Sequence, residues 1–525
     1  MATASQDFFI RVHQIERIKG RETAINQKTF SIECEGILKN MNILSIMTFL
    51  TIDQIEKYSV NLETVLSGHE GWVSEVRWTH SSDNCLQLLS VSMDKTMILW
   101  KTPEENQANS VWVECLRVGE IGGNTLGFLG CVASQELDLI VGYSFNGALH
   151  SWKRSDNKWI PFVMISGHFD EVTDISWEPK GEYLLSCSND QTTRLHSHWI
   201  TSDGQLCWHE MARPQIHGYD IKCISMIGRH SLVSGADEKV IRVLRATTCF
   251  ASSLQKISNI DISSDMNMSE VAHSAVVPTL GLSNCAVFEP ESLDQEFRPT
   301  VLDSPPTEET LLQNTLWPEI HKLYGHVFEI FSVAVSHCGT VLASASKATK
   351  PDHADIILWD IKEATLLSKL SSHQLTVTRI RFSSDDSFLL SASRDRTWSL
   401  FQRNDSKSYT RIAFSDKKNG IHSRIIWDIA FTFDNQFFCS VSRDKTAVFW
   451  KINSESSTNP SSSLGPVSPC DSPLTLRDSI TSLDICNVPF GDNYLVAFGL
   501  QNGNICLYFW NSNTFWTHLS DFNDR

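Results

Sequence analysis

The sequence predicts an all-β chain built from one repeated unit of strands, and three observations carry that expectation. Histidines recur at a near-constant step: His168 to His217, His326 to His373 and His373 to His422 are 49, 47 and 49 residues. An aspartate follows the histidine at a near-constant distance. The pairs His69/Asp94, His168/Asp190, His217/Asp237, His373/Asp395 and His422/Asp444 are separated by 25, 22, 20, 22 and 22 residues. Each aspartate is preceded by a short run of apolar and small residues: LLSVSMD, LLSCSND, LVSGAD, LLSASRD and FCSVSRD. Self-similarity at a fixed period marks a repeat architecture. Short runs bounded by turn residues, without a 3.6-residue period, are strands.

Within each unit the histidine precedes the first strand and a serine sits on the second. The aspartate makes the turn after it, and an apolar residue six positions later ends the third. Those last positions hold Trp100, His196, Val243, Phe401 and Trp450. A buried His–Ser–Asp set satisfies its own polar groups and rigidifies the sheet. This pattern resembles the WD40 repeat, whose four-stranded units form the blades of β-propellers. Trp359-Asp360 keeps the literal dipeptide.

Eight units are recognisable, at roughly 65–100, 111–153, 162–199, 209–246, 321–361, 366–403, 422–452 and 476–510. The second and last lack the histidine. SQDFFIRVH repeats the turn-and-strand pattern, with His13 six residues after Asp7, so the chain is expected to begin in mid-blade. The resulting division is 1–250 as the later blades of a first propeller, with an insert at 36–58, then a linker with closing strands at 251–316. The remainder, 317–525, reads as a second propeller without its last blade. The apolar stretch VVPTLGLSNCAVF is expected to supply strands in the linker, and PPTEETLLQNTLW a short helix. The Ser/Pro-rich stretch 452–474 reads as an inter-blade loop, and Gly122-Gly123-Asn124 as a turn.

Composition narrows the function. The 525 residues carry 44 basic and 61 acidic groups, net −17, which argues against a protein that coats nucleic acid with its whole surface. Sixteen Trp and 27 Phe suit sheets. The most apolar stretch, Ile43–Ile52, is shorter than the roughly 20 residues of a membrane helix. The fourteen Cys include no C-x-x-C pair, and scattered single thiols point to a reducing compartment, cytosol or nucleus. H-E-x-x-H, a phosphate loop and G-x-S-x-G are all absent, so no catalytic, cofactor or metal site is expected. The structural reading assigns His69, His168, His217, His326, His373 and His422 to the blades. With them go Asp94, Asp190, Asp237, Asp395 and Asp444, and Trp100, Trp359 and Trp450.

Several stretches identify a narrower family, most strongly PPTEETLLQNTLWPEIHKLYGH and ARPQIHGYDIKC, which propeller geometry does not require. LSGHEGWVSEVRW, ISGHFDEV, WHEMARPQIHGYDIKC, LGLSNCAVF, PPTEETLLQNTLWPEIHKLYGH and HSRIIWD resemble the Elongator complex protein 2 family, a tandem WD40 double propeller. The resemblance covers nearly everything from Leu62 to Trp510. It implies a non-catalytic scaffold in a complex that modifies the tRNA wobble uridine at carbon 5. The implied partners are the sibling subunits, including a catalytic subunit resembling radical-SAM enzymes and acetyltransferases, with tRNA as a further candidate. The implied location is cytoplasm and nucleus. Family members are longer at both ends. A generic WD40 adaptor in signalling or ubiquitin ligation, an enzyme using a propeller channel, and a non-functional fragment remain alternatives.

One charge feature points to a surface. Residues 373–451 carry 13 Lys and Arg against 8 Asp and Glu, net +5, while the rest of the chain is net −22. Arg394 and Arg396 flank Asp395, Arg424 follows His422, and Arg443 and Lys445 flank Asp444. In a propeller these positions share one rim, and blades adjacent in sequence are neighbours in space. The five side chains are the candidate RNA or partner face. Arginine forks suit phosphate and carboxylate alike. The competing readings are pairing with the turn aspartates, or solvated charge.

Overall fold

In a computed structural model of the chain, the residues described are 1–17, 44–50, 55–80, 86–102, 112–119, 126–156, 158–201, 204–267, 270–277, 283–288, 300–405, 407–416, 418–453, 464–470 and 472–523. Among them the structure is a series of antiparallel sheets of four strands, one of them with a fifth short strand, plus one two-stranded sheet. We number the nine larger sheets 1 to 9 in chain order. The innermost strand of sheet 2 is Val73–His80, followed by Leu86–Ser92, Thr96–Lys101 and Val113–Gly119. The inner strands of sheets 3 to 9 are Phe128–Ala133, Val172–Trp177, Ile221–Ile227, Ile330–Val335, Val377–Phe382, Ile426–Phe431 and Ile480–Ile485. The eight sequence units supply the first three strands of sheets 2 to 9. Sheet 1 contains the N-terminal pattern, with Asp7 between Ala2–Ala4 and Phe9–Arg17.

The second strands of sheets 5, 6 and 8 show no alternation of buried and exposed positions: Ser231–Ala236, Val341–Ser346 and Phe437–Ser442 are buried throughout, because neighbouring sheets cover both faces, whereas Leu139–Ser144 and Tyr494–Leu500 of sheets 3 and 9 alternate. Sheets 7 and 8 illustrate the packing. Leu390, Ala392, Leu400 and Ala413 of sheet 7 pack on Ile426, Ile429, Phe438 and Trp450 of sheet 8. Burying each large aliphatic side chain of this kind is worth about 1.5–3 kcal/mol before entropy is counted. Hydrogen bonds join the same sheets, as the Thr378 hydroxyl donates to the Ile426 carbonyl at 2.6 Å.

The chain forms two compact units, Met1–Phe169 with Thr307–Glu309, and the rest. The first contains sheets 1 to 3 and the second sheets 4 to 9. The boundary expected at 250/251 does not coincide with this division at 169/170. The stretch 251–316 is an insertion within sheet 5 and not a connection between rings. The chain leaves after the third strand, Val240–Arg245, and returns as the fourth, Glu319–Tyr324, which satisfies the third strand's free edge. Within the insertion, helix Thr248–Ser258 is capped by the Thr247 hydroxyl, which accepts from the Phe250 N–H, and ends at Asn259 in the left-handed region. Its Phe250 and Leu254 join Trp317 in the core beside sheets 4 and 5. Strands Ser274–Val276 and Cys285–Val287 pair with each other, and Glu308–Gln313 is the helix after the Pro pair.

Two other expectations change. In the insert at 36–58, residues 36–43 and 51–54 lie outside the described residues. Leu44–Leu50 and Ile55–Ser67 pair antiparallel within sheet 1. In the stretch read as a loop, 452–474, residues 454–463 and 471 lie outside the described residues. Val467–Pro469 and Leu474–Thr475 pair with Thr446–Ile452, so the outer strand of sheet 8 is split in two.

In the second unit the inner strands of sheets 4 to 9 pack side by side in chain order. Arg379 of sheet 7 also reaches Asp174 of sheet 4, with Nη1 3.0 Å from Oδ1. A row of sheets brings its first and fourth members this close only by curving around a common centre.

Candidate functional site

The repeat residues assemble into one recurring polar network, complete in sheet 2. His69 Nδ1 lies 3.0 Å from Asp94 Oδ2 and its Nε2 lies 2.8 Å from the Ser90 hydroxyl. The Trp100 indole N–H donates to the same hydroxyl at 2.9 Å. Thr96 donates through backbone and hydroxyl to Asp94 Oδ1, and the Glu70 N–H donates to Oδ2. In sheet 8, His422 Nε2 is 2.7 Å from the Ser440 hydroxyl and Nδ1 is 3.7 Å from Asp444, while Trp450 donates to Ser440 at 2.8 Å. In sheet 7, His373 reaches Ser391 at 2.8 Å and Asp395 at 3.3 Å, and Phe401 occupies the indole's position without a donor. Burial alone would raise the pKa of these aspartates. Hydrogen bonds from the histidine, the threonine and a backbone N–H outweigh it, holding Asp395 at about 2 and Asp94 and Asp444 well below the usual carboxylate range.

The remaining sheets depart from that wiring. In sheet 5 the carboxylate beside His217 is Glu238, 3.1 Å away, and not Asp237. Aligning Ala-Asp-Glu-Lys-Val with Ser-Met-Asp-Lys-Thr of sheet 2 puts Glu238 on the turn aspartate and Leu244, not Val243, on the tryptophan. Asp237 instead receives Lys347 Nζ at 2.6 Å. In sheet 4, Asp190 accepts from the Thr192 hydroxyl at 2.6 Å and lies 3.5 Å from Arg194, while His168 is half-buried. In sheet 6, His326 Nε2 is 2.8 Å from Ser344, to which Trp359 also donates at 2.7 Å. With no turn carboxylate at that position, burial pushes the His326 pKa down to about 4.

The basic residues stand on the same rim as these turns. Arg394, Arg396, Arg424, Arg443 and Lys445 are all exposed. Among the described residues, none of the five makes an ion pair. Asp395 and Asp444 face inward to histidine, threonine and backbone donors, which leaves the flanking guanidinium groups without a carboxylate partner. Sheets 7 and 8 are neighbours through their inner strands, and Arg396 Nη1 lies 3.4 Å from the Ser423 carbonyl, beside Arg424. Arg396 and Lys445 have φ of 74° and 72°, as do the equivalent Lys95 and Gln191 at 72° and 69°. The residue after the turn aspartate is left-handed, which costs a non-glycine residue about 1 kcal/mol. Sequence spacing missed Arg477. It is exposed in the loop before sheet 9, and Lys445 Nζ donates to its carbonyl at 3.0 Å. The signal was available: that loop follows the turn of sheet 8 around the rim as Arg424 follows that of sheet 7.

Among the described residues, no group of three His, Cys, Asp or Glu side chains could hold a metal ion. The turn expected at Gly122, Gly123 and Asn124 lies outside the described residues.

Comparison with known proteins agrees with this architecture. The WD domain, G-beta repeat family matches residues 60–101, 159–197, 317–360, 364–402 and 419–451. Elongator complex protein 2 of Mus musculus is 43% identical over 97% of this chain. The protein of that name from Drosophila melanogaster is 40% identical over 100% of this chain and 67% of its own length. The one from Saccharomyces cerevisiae is 32% identical over 97% of this chain. The chain spans 64% of the length of the mouse relative. With identity of 32–43% over 97% or more of its length to these relatives, the chain belongs to the Elongator complex protein 2 family.

Proposed function

We propose that this chain is a non-catalytic scaffold of the Elongator complex, and that its basic rim contacts the phosphate backbone of tRNA. In this reading it binds sibling subunits, the catalytic radical-SAM and acetyltransferase-like subunit among them, and supports modification of the wobble uridine at carbon 5. It does so in the cytoplasm and the nucleus. The supporting observation is the set of five exposed cations over sheets 7 and 8 that no carboxylate among the described residues neutralises. Each Lys or Arg placed on a phosphate releases counterions, so such a face gives salt-dependent, sequence-independent affinity.

The experiment is tRNA binding by the assembled complex carrying Arg394→Ala, Arg396→Ala, Arg424→Ala and Arg443→Ala together. Affinity is expected to fall by about tenfold or more at 0.15 M salt, with sibling subunits still co-purifying. Unchanged binding dismisses the RNA face. Loss of the sibling subunits instead assigns the same cations to an acidic protein surface, which arginine forks also fit. Purification with unrelated partners alone favours a generic WD40 adaptor.

A further inference from the structure

The centre of the second unit holds a charge cluster that the rim reading does not use. The third residue of the inner strand is Asp174 in sheet 4 and Asp428 in sheet 8. Each carboxylate ties its sheet to the next one. Asp174 Oδ2 accepts from the Ile224 N–H at 3.2 Å, and Asp428 Oδ2 accepts from the Leu483 N–H at 2.9 Å. Sheet 7 has Arg379 at the same register. Its Nη1 is 3.0 Å from Asp174 Oδ1 and its Nε is 3.4 Å from Asp428 Oδ1. The side chains of Arg379, Asp174 and Asp428 are only 18%, 5% and 8% exposed. One guanidinium therefore joins the first, fourth and fifth sheets of the unit.

We propose that Arg379 is a positioning residue, a clamp that fixes sheets 7 and 8 to each other and to sheet 4. By doing so it sets the spacing between Arg394 and Arg396 on one side and Arg424 and Arg443 on the other. The effect on rim spacing rests on the reading of the rim as an RNA face. The clamp itself is a matter of charge. Without Arg379, two buried carboxylates remain at the centre, with Arg381, Asp484 of sheet 9 and the buried thiol of Cys223 among the other titratable groups that act on them. Arg381 already has its pKa pushed down by burial and by Arg379, and burial pushes that of Asp484 up. An uncompensated buried carboxylate has a folded pKa above its unfolded one. Its protonated form is tolerated at low pH, and stability is lost as pH rises through the unfolded value.

The test uses Arg379→Gln in the full chain within its complex. Exchange of the Ile224 and Leu483 amide protons is expected to accelerate, because the carboxylates that accept them shift. The variant's thermal midpoint is expected to fall further below the parent's at pH 7 than at pH 5. Adding Asp174→Asn and Asp428→Asn is expected to abolish that pH-dependent gap, which a packing defect alone would leave in place. Binding of bulk tRNA should weaken about threefold to tenfold, as for residues coupled in one network, with every rim arginine still present. If the quadruple rim variant loses tRNA but folded Arg379→Gln binds as the parent does, the positioning claim fails. If the quadruple variant keeps its tRNA, the rim reading falls, and the clamp stands or falls on amide exchange alone. Unchanged exchange at Ile224 and Leu483 overturns it. Should Arg379→Gln not fold, Arg379→Lys keeps the charge without forking to both carboxylates, and the same exchange and binding measurements decide.

Discussion

Sheets 5 and 8 share a strand order but are wired in opposite ways, and the contrast explains where the free charge lies. In sheet 5, Arg242 is buried between Glu238, at 2.6 Å, and Glu319, at 2.5 Å, so its guanidinium is consumed inside the blade. Sheet 4 does the same with Arg194 and Arg213 on Glu210. In sheet 8 the turn aspartate is satisfied by His422, Thr446 and the Ser423 N–H, and Arg443 and Lys445 project outward. The cations of sheet 8 thus flank its turn and stay on the rim, whereas the arginines of sheets 4 and 5 sit within the strands and pair with glutamates inside the sheet.

The largest expected effect breaks the sheet 5 wiring. Arg242→Met leaves Glu238 and Glu319 buried with only His217 and Lys322 as their remaining partners, and urea unfolding should show a loss of about 3 kcal/mol. Charge removal at the rim of sheet 8 should cost far less than that.

Sheets 6 and 7 provide a pH comparison. His326 has its folded pKa lowered to about 4 by burial, below the unfolded 6.5. Its contribution is present above pH 6.5 and is lost as pH falls from there toward 4, amounting to about 3 kcal/mol. Asp395 is held at about 2, against 3.8 unfolded. Its contribution is present above pH 4 and is lost between pH 4 and 2, about 2 kcal/mol. His326→Gln should remove the higher window from the acid-unfolding profile, and Asp395→Asn the lower.

A smaller effect separates sheets 7 and 8. Ser440 serves both His422 and Trp450, whereas Ser391 serves His373 beside the donor-free Phe401. Ser440→Ala leaves one more buried group unsatisfied than Ser391→Ala. It should be the costlier of the two by about 1 kcal/mol in chemical denaturation. The smallest effect is at Lys445→Gly. It relieves a left-handed residue, so stability should hold or rise by a few tenths to about 1 kcal/mol while a rim charge is lost.

The blades were legible in the sequence because three constraints repeat together: an apolar second strand, a tight turn that wants Asp, and a histidine placed to reach it. Register within a blade was less legible. Asp237 and Glu238 are adjacent carboxylates, and only the turn geometry decides that the longer side chain faces His217. The membership of 251–316 was hidden because strand pairing is non-local: Val240–Arg245 finds its partner across more than the insertion itself. Arg379 was hidden for the same reason, since its two carboxylates lie on strands of other sheets. The rim arginines could be read from their place beside the turns. That they are unpaired could not, because it depends on which way Asp395 and Asp444 face.

The central claim is that these cations are free to meet a polyanion. The direct measurement is the slope of log affinity against log salt for tRNA, with the complex containing this chain or its quadruple arginine variant. Removing four arginine–phosphate pairs should flatten the slope by about 3. Parallel slopes with equal affinity would contradict the account.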